Sequence, residues 1–99
     1  MVRFALLARL EAKPGKEDTV ENFLKSALDM AEDEEDTVEW FALKIGPSTF
    51  GIFDTFKNEE GREAHLNGKI AAALMEHADD LLAAPPVIEK VKLLAVKED

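Results

Sequence analysis

Apolar residues open the chain on alternating positions. Phe4, Leu6, Ala8 and Leu10 share one face, and Ala5 and Leu7 lie on the other between Arg3 and Arg9. Alternation predicts a strand over residues 2–10, closed by the turn dipeptide Pro14-Gly15. The period then changes. Val20, Phe23, Leu24, Ala27, Leu28 and Ala31 recur at three- and four-residue steps, which draws one apolar stripe down a helix over 16–33. The run Glu32-Asp33-Glu34-Glu35-Asp36 reads as a solvated helix end and loop, because acid at a helix C-terminus opposes the dipole.

Thr37 to Ile45 predicts a second strand and Thr49 to Phe56 a third, joined through Gly46-Pro47-Ser48 as an antiparallel hairpin. Asn58 is placed to cap a short helix through His65, which Gly61 weakens. A longer helix is expected over 68–82, with Ile70, Leu74, Ala78 and Leu81 on one face. Ala84-Pro85-Pro86 breaks it, and Val87 to Val96 forms the last strand. The order is β-α-β-β-α-β with the second helix split, an α+β ferredoxin-like pattern. No linker or repeat interrupts residues 1–99, which read as a single domain.

Helices cover only one face of such a sheet, and the other should be polar if it meets water. Here both faces are apolar, as Phe4 and Leu7, Trp40 and Phe41, Ile52 and Phe53, and Leu93 and Leu94 show. A second copy is the simplest cover, so a homodimer enclosing a largely apolar pocket is expected.

Composition narrows the partners. A formal net charge of -9 repels phosphate backbones and anionic membrane surfaces, so no nucleic acid and no membrane is expected as partner. The chain has no cysteine, which excludes disulfides, thiolate metal sites and cysteine nucleophiles. The opening Met1-Val2-Arg3-Phe4 lacks the apolar stretch of a secretory signal, and a cytoplasmic location is expected.

His65 and His77 are the only histidines, the residue type best suited by its chemistry to act as a general base near neutral pH. Either could instead serve the structure, since a histidine near a helix C-terminus favours the dipole. The two lie twelve residues apart without zinc-ligand spacing, and the acidic run lacks the glycine and alternation of a calcium loop, so no metal is expected. No Gly-rich phosphate loop is present, and Ser26 and Ser48 have no base nearby in sequence. The aromatic residues Trp40, Phe41, Phe50, Phe53 and Phe56 read as core or as the walls of a flat apolar pocket.

The chain resembles the antibiotic biosynthesis monooxygenase (ABM) family of dimeric α+β barrels over residues 2–96. The resemblance rests on Ala12-Lys13-Pro14-Gly15-Lys16-Glu17, on Phe50-Gly51-Ile52-Phe53-Asp54-Thr55-Phe56 and on Glu63-Ala64-His65-Leu66. In that family an acidic strand end and an aromatic two positions on lead to a helix-borne histidine; here these are Asp54, Phe56 and His65. Asp54 and Phe56 stand where Glu and Trp or Tyr are more usual. The resemblance implies a monooxygenase without cofactor that oxidises a quinol, anthrone or similar small aromatic with molecular oxygen. It implies His65 as base or proton relay, Asp54 as its orienter, and Arg9 or Asn67 as donor to an oxyanion. Trp40, Phe53 and Phe56 would be the walls. The haem-degrading branch fits poorly, with Ala8-Arg9 in the first strand and His65 near the place of its short-helix Trp. The alternative is a dimeric small-molecule-binding or stress-related module that keeps the fold without turnover.

Overall fold

A computed structural model of the protein describes residues 4–97. Four antiparallel strands, β1 (Phe4–Glu11), β2 (Thr37–Lys44), β3 (Thr49–Phe56) and β4 (Val87–Lys92), form one sheet in the order β2-β3-β1-β4. Helices α1 (Glu17–Ser26), α2 (Leu28–Glu32), α3 (Glu59–Leu66) and α4 (Lys69–Leu81) complete the ferredoxin-like pattern. Val2 and Arg3, assigned to the first strand by alternation, lie outside the described residues.

The period of two sorts the strands into faces. Leu6 pairs with Asp54 and Asp54 with Trp40; Ala8, Ile52, Leu10 and Phe50 follow on the same face. Val20, Leu24, Leu74 and Ala78 from the helices close over these residues to make the core. The other face carries Leu7, Arg9, Phe41, Leu43, Phe53 and Val87 by the same register. Phe41 stacks on Phe53 with ring centres 6.4 Å apart, and Phe41, Ile45 and Val87 are exposed.

Two elements end differently from the sequence expectation. The first helix is interrupted at Ala27. Ser26 Oγ donates to the carbonyl of Phe23 (2.8 Å), and Ala27 N–H is shared between Phe23 and Leu24 carbonyls. A hydroxyl competing for a turn's carbonyl bends a helix in this way. The last strand stops at Lys92, which pairs with Phe4, the first described residue; Leu93 and Leu94 lie beyond it although they are apolar. Among the described residues no helix is long and apolar enough to cross a membrane.

Asn58 caps α3 as expected, its Oδ1 accepting from Gly61 N–H at 2.7 Å. Gly61 does more than weaken the helix. A Cβ there would stand 2.8 Å from Asp36 Cβ, so the glycine lets the α2–β2 loop press against α3. Lys57 N–H donating to Asp36 O (3.1 Å) fastens the same loop.

Alanine is the better helix former by about 1 kcal/mol, yet overpacking costs about 1–3 kcal/mol. Gly61→Ala is therefore expected to be destabilising, lowering the melting temperature by several degrees. A variant that melts at or above the parent would show that the loop yields freely.

Candidate active site

A lone carboxylate facing the core of an apolar strand is costly unless it is paired. Asp54 is such a residue, 1% exposed, on the helix-facing side of β3. Its partner comes from the last turn of α3. His65 is 8% exposed, and its Nε2 lies 2.8 Å from Asp54 Oδ2. The approach lies off the line of a hydrogen bond, and neither Asp54 oxygen meets a well-aligned donor, so the pairing is ionic. The other ring nitrogen, Nδ1, lies 2.7 Å from Glu34 Oε1. Thr37 Oγ1 donates to that same oxygen at 2.8 Å. The ring also packs on Phe56, centre to centre 5.3 Å.

The histidine thus stands between two carboxylates. Burial on its own lowers the His65 pKa, but the close contact and charge of Asp54, reinforced by Glu34, outweigh it and raise it above the ordinary value. Asp54 is also raised, first by burial and then by the charge of Glu34, against the lowering effect of His65. Both directions have one meaning: the pair holds a proton to higher pH than the separate groups would. With Nδ1 facing Glu34, a neutral ring would oppose its Nε2 lone pair to Asp54 at 2.8 Å, so a proton belongs between them. The C-terminal end of α3 favours the resulting positive ring.

In front of His65 lies a cleft of about 440 Å³. Asp33, Glu34, Glu35, Asp36, Thr37 and Lys69 are among its walls. Acidic side chains supply most of the charge at its mouth, with Met30, Ala64 and the His65 ring also in the wall. The α2–β2 loop places its acids there because Gly61 and Lys57 hold it against α3. Helix α4 also begins at the cleft, with Gly68 and Lys69 in the wall and no side chain capping its first N–H groups.

The residues singled out from sequence divide accordingly. Asp54, His65 and Phe56 come together. Trp40 sits across from Asp54 on the same face, packed on the core, with its buried Nε1 lacking an acceptor. Arg9 and Phe53 are on the opposite face, since strand residues an odd number of places apart point oppositely. Neither can reach His65 in this chain. Asn67 is exposed and donates to Glu63 O (3.0 Å), so it finishes α3 rather than meeting the cleft. His77 is exposed and packs edge-on against Phe23, 5.9 Å between centres. Glu34 was hidden in an acidic run whose other members are solvated as expected; Thr37 three residues on is the one local sign of its turn inward.

No family model and no curated protein matches the chain. Solved structures do. A proposed antibiotic biosynthesis monooxygenase from Nitrosomonas europaea superposes with TM-score 0.81 at 14% identity, over 93% of this chain and 90% of that one. A second antibiotic biosynthesis monooxygenase does so with TM-score 0.79 at 11% identity, over 93% and 99%. The fold is that of the ABM-like proteins. At 61% identity and TM-score 0.96, the chain also matches the NE2512 protein of Nitrosomonas europaea, a protein of unknown function, over 100% of this chain and 96% of that one. The chain belongs to one family with NE2512.

The raised pKa of His65 has a sign in stability. A group that binds its proton more tightly when folded stabilises the fold below its unfolded pKa and loses that contribution as pH rises through its folded pKa. For His65 the loss begins above 6.5, the value of an unperturbed histidine. For Asp54 the same direction applies from 3.8 upward. Urea unfolding followed against pH is expected to show stability falling above pH 6.5 in the parent, with a flatter slope in His65→Gln. Equal slopes would place the proton elsewhere.

Proposed function

We propose that the protein is an oxidoreductase of the ABM type that works without cofactor, oxidising a small neutral aromatic such as a quinol or anthrone with molecular oxygen. The observation that carries this reading is the Asp54–His65–Glu34 array at the back of a cleft. Oxidation of this kind needs a group that takes a proton from an acidic hydroxyl or activated carbon, so that the electron-rich anion reduces oxygen directly. For an anthrone the ring CH2 loses two hydrogens, one oxygen atom enters as a carbonyl and the other leaves as water. His65 and Asp54 are the pair proposed to exchange the proton. Lys69 and the uncapped start of α4 are the positive groups in the cleft wall, in place of Arg9 and Asn67, and would favour the anion. The acidic mouth favours neutral over anionic molecules.

A second reading, a binding module without turnover, is supported by one feature. Both ring nitrogens of His65 already face carboxylates, which leaves no free lone pair at the cleft.

Oxygen uptake with a panel of quinols and anthrones separates the two. The oxygenase reading expects uptake by the purified parent that falls by about 10²-fold or more in His65→Gln, with the variant's fold confirmed by circular dichroism. Uptake no greater than spontaneous oxidation, together with saturable binding of the same compounds, would select the binding module.

We also infer that two copies pair through the outer sheet face, where Phe41, Ile45 and Val87 are exposed beside Leu7 and Phe53. Exposed apolar patches of this breadth are uncommon on monomers. Sedimentation at micromolar concentration is expected to give twice the 11.0 kDa chain mass, and Phe41→Glu to shift it toward the single chain. A parent sedimenting as one chain would overturn the inference.

A further inference from the structure

We propose that Glu34, held by Thr37, is the positioning residue that fixes which ring nitrogen of His65 carries the tautomer-defining proton; this rests on the proposed role of His65. A carboxylate oxygen can accept but not donate while ionised. Glu34 Oε1 faces two groups at once, Thr37 Oγ1 at 2.8 Å and His65 Nδ1 at 2.7 Å. The threonine hydroxyl donates to it, so the oxygen acts as an acceptor, and Nδ1 must be the donor. Nδ1–H is thereby committed to Glu34, and exchange of a proton falls to Nε2, which faces Asp54. The hydrogen bond at one imidazole nitrogen decides the chemistry of the other.

The placement of Glu34 agrees with that role. Its side chain is 21% exposed and His65 only 8%, so Glu34 is the link between the buried pair and the cleft. Its second oxygen, Oε2, lies beside Gly68, 3.4 Å from where a Cβ would stand there. Charged neighbours of His65 come from three sides: Asp54 on β3, Glu34 on the α2–β2 loop, and Asp33, Glu35, Asp36 and Lys69 around the cleft. Of these, Asp54 and Glu34 alone are in contact with its ring nitrogens among the described residues.

The test is ¹⁵N NMR of the His65 ring against pH, in the parent, Glu34→Gln and Thr37→Val. The parent is expected to show Nδ1 protonated throughout the titration and the exchanging proton on Nε2. In Glu34→Gln the amide can offer Nδ1 either a donor or an acceptor, so the ring should become a mixture of tautomers and lose its proton at lower pH. Thr37→Val keeps the carboxylate but frees it to turn, and should give a smaller change in the same direction. Glu34→Asp should restore part of the parent pattern. On turnover, Glu34→Gln is expected to lower kcat by about 10²-fold, move the pH–rate profile to lower pH and change KM by less than about threefold. Ring spectra and titrations that coincide in parent and Glu34→Gln would overturn the assignment, with or without oxidation. Spectra that change as expected in a protein that consumes no oxygen would uphold the positioning role and remove the oxygenase reading instead.

Discussion

A positive imidazole held away from water between two carboxylates constrains everything around it. Taking charges out of water costs several kcal/mol each, and mutual attraction offsets this only when the geometry is held. Three elements hold it here: β3 supplies Asp54, α3 supplies His65, and the α2–β2 loop supplies Glu34. The cap at Asn58 starts α3, while the close approach at Gly61 and the Lys57–Asp36 bond bring the loop to it. If any of these gives way, one of the buried charges stands alone.

The same constraint explains the uneven polarity of the sheet's inner face. Most of it is conventional core, Leu10, Phe50 and Ile52 under Val20 and Leu24. Toward the α3 end the core gives way to Asp54, Trp40 and the His65 array, where polar groups are buried and not all are satisfied. Such buried polar groups break the rule of apolar packing that the rest of this face obeys. The fold is common to proteins of many activities, so chemistry has to be argued from that end of the sheet and not from the topology.

Much of the architecture was legible because its signals are local. Strand β3 runs over Thr49–Phe56 as the alternation and the Gly46-Pro47-Ser48 turn predict, and Asn58 begins α3 as its side-chain chemistry predicts. The differences came at element ends. Leu93 and Leu94 look like strand, but β4 ends at Lys92, opposite Phe4, the first described residue. Ala27 looks like mid-helix, but Ser26 intervenes. In the site, Asp54 and His65 were visible as a carboxylate in an apolar strand and a histidine at a helix end. Arg9 and Phe53 lie on the outer sheet face, as parity places Phe53 opposite its neighbour Asp54. Glu34 was not legible, since nothing separates one acid from the next in Glu32–Asp36 until the loop is folded onto α3.

Distance along the chain adds a consequence. Glu34 and His65 are 31 residues apart, so the array exists only once a loop, a strand and a helix have docked. Before docking, His65 has the proton affinity of a free imidazole and Asp54 that of an ordinary carboxylate. Around neutral pH the closing chain therefore draws a hydrogen ion from solution and holds it inside. Completion of the fold and loading of the site are one event, and a molecule that opens locally at the α2–β2 loop gives the ion back.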